Sequence, residues 1–230
     1  MVLTRPNVAF AVGCLARYMS KPAIHHGYAL KDLIRYLRSI INQRIRFGPG
    51  GDKHFKIFTD ADWASNKTDR KSCSGGVGIF YSGPFYWKTQ KQKYIAKASC
   101  ESEYIAQAIY AMQGQWTAQI FRDLKMPEYI GRNGITVDMY GDNQGALALV
   151  KNPHLHERSK HIDIHYHYIR DLAEKGKLEI TYIPTTDMPA DGMTKPLARV
   201  AFERFKKLLG IEIGLQEGEE KKGKKKELIN

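Results

Sequence analysis

Four stretches of this 230-residue chain place acids where strands would end or helices would begin. Asp60 closes the apolar run KIFTD and is followed by Asp62 and Trp63. Glu101 and Glu103 open a long helical pattern, Asp142 follows ITVDMYG, and Asp191 lies in MPADGMTKP. In open α/β sheets ligand chemistry gathers at strand ends, where acids from separate segments can converge. Clustered carboxylates repel, and each resists ionisation unless a counter-charge is near. Divalent metal is the usual solution: carboxylate oxygens and water suit Mg²⁺ or Mn²⁺, and a shared carboxylate can bridge two ions roughly 4 Å apart. Such a centre activates water and stabilises the leaving oxygen in phosphodiester cleavage. The alternative is that each acid caps a helix or sits in a solvated loop, as acids commonly do there. Spacing alone leaves both readings open.

Positioning those acids requires strands and helices in a particular order. Hydrophobic periodicity predicts strands at 55–60, 75–81, 85–88, 135–140 and 178–183. Helical patterns cover 22–41, 99–124, 144–150, 159–175 and 200–209. Three hairpin-linked strands followed by α/β crossovers imply an α/β fold, a mixed sheet with helices on both faces. In the long helix Ile105, Ile109, Met112, Trp116 and Ile120 form the expected apolar side. The three tryptophans, Trp63, Trp87 and Trp116, are expected in core or half-buried packing. The helix at 22–41 places Leu30, Leu33, Ile34, Leu37, Ile40 and Ile41 on one face and Lys31, Arg35 and Arg38 largely on the other. FGPGGD at 47–52 is the clearest break in the chain, and a boundary is expected there.

Composition narrows the class of partner. Hydrophobic residues at 43% and charged residues at 26% exclude a disordered, collagen-like or disulfide-scaffold chain. The formal net charge of +12 points to a polyanion. Residues 1–48 carry eight basic residues against one acid, and the lysine-rich end 217–230 carries five against four, so the tail is not the main electrostatic handle. Three cysteines without a CxxC pair argue for a reducing compartment and against a cysteine zinc site. The apolar run from Val8 to Ala16 follows Arg5 as a short signal peptide would, but its pattern continues into a second amphipathic segment. An unsecreted protein with no membrane span is expected.

Two further clusters invite a role. Lys88, Lys91, Lys93 and Lys97 alternate with Trp87, Gln90, Gln92 and Tyr94, which reads equally as a solvated edge strand or as a strip contacting phosphates. His154, His156, His161, His165 and His167 suggest zinc, but no cysteine lies near them to close a tetrahedral set.

Taken together, four strings are specific: FTDADWASNKTDRKSCSGGVGIF, WKTQKQKYIAKASCESEYIAQA, YGDNQGALALVKNPHLHERSKHIDIHYHYIRD and YIPTTDMPADGMTKPL. In order and without large gaps, over about residues 55–197, they resemble the ribonuclease H domain of copia-type LTR retrotransposon Pol polyproteins. Residues 4–41 resemble the end of the reverse transcriptase that precedes it in such polyproteins, and the chain has no polymerase YxDD motif.

The resemblance implies a ribonuclease H-like mixed five-stranded sheet flanked by helices, with a short N-terminal helical extension. It divides the chain into a reverse transcriptase remnant at 1–48, a ribonuclease H-like domain at 53–210 and a flexible charged tail at 211–230. It assigns the catalytic and metal-binding acids to Asp60, Glu103, Asp142 and Asp191. Two Mg²⁺ ions, replaceable by Mn²⁺, would share Asp60; Asp191 would support the ion on the side of the attacking water, and Glu103 and Asp142 the one facing the leaving 3′ oxygen. The reaction would cut the RNA strand of an RNA–DNA hybrid, leaving 5′-phosphate and 3′-hydroxyl ends.

The expected partners are the hybrid and the reverse transcriptase portion of the same polyprotein, with no membrane and no small-molecule cofactor. The expected place is the cytoplasm, free or in a virus-like particle, or the nucleus. Lys88, Lys91, Lys93, Asn143, Gln144 and His161 are the candidate nucleic-acid contacts, His161 as a loop histidine assisting product release. Two positions depart from the family pattern: Gly76, where an aromatic residue is common, and Cys100, where Ser or Thr is usual. Rival readings are a DNA-acting transposase or integrase of the same fold, and a non-catalytic remnant that only binds nucleic acid.

Overall fold

The central strand explains the rest of the architecture. In the computed structural model, which describes residues 4–48, 52–131, 133–151 and 163–214, the run KIFTDAD forms β2 (Lys56–Asp62). It is flanked on one side by antiparallel β3 (Cys73–Phe80) and on the other by parallel β5 (Val137–Gly141). Strand β4 (Gly83–Lys91) closes one edge through the Tyr81-Ser82 turn, and β6 (Leu178–Tyr182) closes the other beside β5. The order β4-β3-β2-β5-β6 is the expected mixed five-stranded sheet. Because β2 and β5 run parallel, residues just past their ends emerge on the same sheet edge.

Helices cover both faces. On one side α3 (Ser99–Asp123) crosses β2, with α4 (Gln144–Lys151) and α5 (Asp163–Glu174) beside it. Its core joins Phe55, Ile57, Tyr104, Tyr110, Val137, Met139 and Ile180. On the other side Val77, Met188, Met193, Phe205 and Leu209 pack with Ala9, which brings α1 (Ala9–Ala16) and α6 (Arg199–Leu208) onto that face.

The large apolar residues of α3 do not all face the core. Ile105 is buried, but Met112 is 49% exposed and Trp116 62%. The helix turns Tyr104, Ala108, Ala111 and Ala118 inward instead, together with Gly114, where a Cβ would lie 2.9 Å from Val137. A helix lying this close to a sheet favours small residues at the contact, and Met112, Trp116 and Ile120 mark its outer face. Trp63 is likewise exposed at 45%, against the expected packing role.

Helix α2 (Ile24–Ser39) has the expected amphipathic pattern, yet it buries no residue among those described. Strand β1 (Gln43–Ile45) pairs antiparallel with β7 (Ile211–Ile213), so residues read from sequence as the start of the tail form a strand. Three residues are too few for periodicity to reveal a strand, and the partner is remote in sequence. Gly210 enters β7 at φ +60°, and a Cβ there would stand 2.4 Å from the Ser82 carbonyl oxygen. No helix among the described residues is long and apolar enough to cross a membrane.

The departure at Gly76 has a structural answer. A Cβ at that position would meet the Tyr110 ring at 2.4 Å, so an aromatic ring from α3 occupies the space above β3. Tyr110 also donates its hydroxyl to the Lys88 carbonyl at 3.0 Å, tying α3 to the edge strand.

Candidate active site

Asp60, Glu103 and Asp142 converge from three elements, each offering a carboxylate oxygen within 4.8 Å of the others. Asp60 lies near the end of β2 and Asp142 immediately after β5, and the parallel pairing of these strands makes them neighbours. Glu103 comes from the first turns of α3, where the helix passes over the end of β2. Asp60 is 3% exposed and Glu103 6%, whereas Asp142 is half-buried. The other acid of that helix start serves the backbone, since Glu101 accepts the Lys97 N–H at 2.9 Å. Capping and site chemistry are therefore divided between two acids two residues apart.

Asp191 follows β6 in a 3-10 turn, Asp191–Met193. It lies outside the group of three, but its charge opposes ionisation of both Asp60 and Asp62. Its turn packs on β3 because Gly75, the residue paired with Asp60, has no side chain. A Cβ at Gly75 would stand 2.7 Å from both Met193 Cβ and Thr194 Cγ2.

Each acid is held by a partner. Thr194, fully buried, donates its hydroxyl to Asp60 Oδ2. Thr185 donates to Asp142 Oδ2 at 2.7 Å. Lys195 Nζ lies 2.5 Å from Asp191 Oδ1. The Ala61 backbone N–H bonds the Glu103 carboxylate, leaving Glu103 Oε2 buried with no hydrogen-bond partner. Nothing in the residue pattern marked Thr185, Thr194 or Lys195 for a role, although the last two stand in the GMTKP string directly after Asp191.

Burial dominates the electrostatics. It pushes the Asp60 carboxyl up to about 6; the Thr194 hydrogen bond opposes the rise, and Asp142 and Asp191 add to it. Glu103 is pushed up to about 10, first by burial and then by Asp60 and Asp142, against the Ala61 N–H and Lys195. Without added positive charge the cluster therefore retains protons. The donor set fits a hard divalent ion: three carboxylates within reach of one another, one of them with an orphaned buried oxygen. It does not resemble the nitrogen and sulfur set of a structural zinc site.

The remaining candidates fall in different places. Lys88 and Lys93 are exposed, on edge strand β4 and just beyond it. Lys91 is ion-paired with Asp69, so its charge is already engaged. Gln92, within the same basic stretch, is buried and structural, bonding Ser74 Oγ and the Ser102 carbonyl, both at 2.8 Å. Asn143 caps α4, its Oδ1 accepting the Ala146 N–H at 3.0 Å, and Gln144 is exposed beside it. His154, His156 and His161 lie outside the described residues. Trp63 donates its indole N–H to the Ala96 carbonyl at 2.9 Å, which anchors the loop after β4 beside the acids.

The strand order, the helix crossing β2 and the acids at the shared edge define a ribonuclease H-like α/β domain with a carboxylate centre. No protein-family model matches the chain. Over 213 residues it is 37% identical to the Retrovirus-related Pol polyprotein from transposon TNT 1-94 of Nicotiana tabacum, covering 92% of this chain and 15% of that one. It is 35% identical over 211 residues to the Pol polyprotein from transposon RE1 of Arabidopsis thaliana, covering 92% and 14%. The chain belongs to the copia-type retrotransposon Pol polyproteins, and it spans about one seventh of the length of these relatives.

Among solved structures, LC11-RNase H1, isolated from compost by a metagenomic approach, overlays with a TM-score of 0.47 at 13% identity, covering 62% of this chain and 94% of that one. The N-terminal ribonuclease H domain of rv2228c from Mycobacterium tuberculosis overlays with a TM-score of 0.44 at 12% identity, covering 68% and 98%.

Proposed function

We propose that the chain is a metal-dependent endonuclease that hydrolyses the RNA strand of RNA–DNA hybrids during retrotransposon reverse transcription. The observation that carries this reading is the convergence of Asp60, Glu103 and Asp142 on one sheet edge. Asp60, Glu103 and Asp142, with Asp191 nearby, would hold the Mg²⁺ or Mn²⁺ ions. Bound there, the ions would supply activation of water and stabilisation of the leaving oxygen.

The chain's own residues prepare the centre. Thr194 orients Asp60 through one oxygen and leaves Oδ1 for a ligand. Thr185 does the same for Asp142. Asp60 and Glu103 are buried, so their attraction for a divalent cation is screened less than it would be in water. Lys88 and Lys93, exposed on β4 and just beyond it, with Asn143 and Gln144 beside Asp142, would meet the sugar–phosphate backbone. A hybrid would be recognised by its geometry and 2′-hydroxyls rather than by sequence. The reverse transcriptase portion of the same polyprotein is the proposed protein partner.

The test is cleavage of a labelled RNA–DNA hybrid in Mg²⁺, beside EDTA, single-stranded RNA and duplex DNA. Hybrid cutting that needs metal, and that Asp60→Asn and Asp142→Asn each abolish, is expected. A folded Asp60→Asn variant that cuts as fast as wild type overturns the reading, and cleavage of duplex DNA in preference to hybrid favours the DNA-acting rival.

A further inference from the structure

We infer that Lys195 is a resident cation of the acidic site, neutralising Asp191 in the metal-free chain and giving way when a divalent ion takes that carboxylate. The inference rests on the metal-dependent reading proposed above. It begins from a single contact, the Lys195 ammonium 2.5 Å from Asp191 Oδ1. A carboxylate oxygen this close to an ammonium cannot also enter the shell of a hard ion, about 2.1 Å from its ligands for Mg²⁺, without bringing two cations together. Occupancy of Asp191 Oδ1 by the lysine and by an ion is therefore competitive, and two cations on one carboxylate would repel.

Backbone placement keeps the lysine at the site. Thr194, its neighbour, is fully buried and bonded to Asp60, and Pro196 follows, which restricts the chain on both sides. The anchored backbone holds the base of the side chain while its flexible four-carbon stem lets the ammonium leave Asp191. The route out is open, since the Lys195 side chain is 38% exposed while that of Asp191 is 15% exposed. The ammonium also acts on Asp60 and Asp62, so it serves the whole cluster rather than one partner. Lys195 thus offsets part of the repulsion among the acids before any ion arrives.

The experiment measures Mn²⁺ binding to the full chain without nucleic acid, by calorimetry, in wild type, Lys195→Met, Lys195→Arg and Asp60→Asn. Removal of the competing cation is expected to tighten Mn²⁺ binding in Lys195→Met on the order of tenfold, with Lys195→Arg staying near wild type. A second readout uses the wild-type chain alone: acetylation of Lys195 by an amine-reactive ester, followed by peptide mass spectrometry, is expected to rise several-fold when Mg²⁺ is added. Unchanged or weaker Mn²⁺ binding in a folded Lys195→Met variant overturns the inference, as does a Lys195 acetylation rate that Mg²⁺ leaves unaltered. If Asp60→Asn abolishes Mn²⁺ binding while either of those results is found, only the role of Lys195 falls. If Asp60→Asn binds Mn²⁺ as wild type does, the metal reading of the site falls with it.

Discussion

Thr194 donates its hydroxyl to Asp60, joining the turn after β6 to the central strand β2 across 134 residues of sequence. Both residues are buried, so the bond forms where water cannot replace it. The contact fixes which Asp60 oxygen stays available and docks the turn that carries Asp191.

Thr194→Val removes the donor and keeps the shape. A hydrogen bond to a charged group contributes about 2 kcal/mol, and that loss is expected in denaturant unfolding of the metal-loaded chain. Cleavage should fall as well, with Thr194→Ser restoring most of both. A Val variant with wild-type unfolding and wild-type cleavage contradicts the positioning role.

The metal-free chain should lose stability as pH rises. Asp60 is raised from 3.8 to about 6 and Glu103 from 4.5 to about 10, so the folded state holds protons that the unfolded state releases. Between pH 4 and 6 the Asp60 contribution alone falls by on the order of 3 kcal/mol, and Glu103 extends the decline above that window. In EDTA the melting temperature is expected to drop from pH 5 to pH 8, and Mg²⁺ should flatten the curve. A profile in EDTA that rises over this range contradicts the prediction.

Glu103→Gln separates stability from activity. Its buried carboxyl is held protonated in the folded metal-free chain but ionises in the unfolded chain, so a neutral amide of similar shape removes that cost. The variant should melt higher than wild type in EDTA at pH 8 and fail to cleave hybrid, the pattern of a site that sacrifices stability for function. Lower stability together with full cleavage would place Glu103 outside the centre.

Gly75→Ala tests the docking of the Asp191 turn. The added methyl would meet Met193 and Thr194 at 2.7 Å and the Ala190 carbonyl oxygen at 2.9 Å. Overpacking of this kind costs about 1–3 kcal/mol, and displacement of the turn should reduce cleavage more than a surface change of equal cost. By contrast, Trp116→Gln on the outer face of α3 should change stability by less than about 0.5 kcal/mol. Both values come from denaturant midpoints, and a large loss for Trp116→Gln would mean that its face is covered.

Much of the fold can be read from local pattern. Strands β2, β5 and β6 and helices α3 and α4 lie within a few residues of where periodicity and turn residues place them, because each segment's own alternation or helical repeat marks it. The inward face of α3 is not legible in this way. Beside Tyr104, Ile105 and Tyr110 it buries Ala108, Ala111, Gly114 and Ala118, whose small size signals close approach only once the sheet beneath them is known. Strands β1 and β7 are equally hidden, since three-residue strands owe their existence to each other.

For the acids, position at a strand end or helix start raised Asp60, Glu101, Glu103, Asp142 and Asp191 as candidates, and only the family resemblance narrowed them to Asp60, Glu103, Asp142 and Asp191. Only the tertiary structure decided which of them meet, that Glu101 caps while Glu103 faces the centre, and that Thr185, Thr194 and Lys195 hold the others. The reason is physical. Residue type and spacing report what a segment can do by itself, whereas carboxylate burial and hydrogen-bond partnership depend on how distant segments pack against one another.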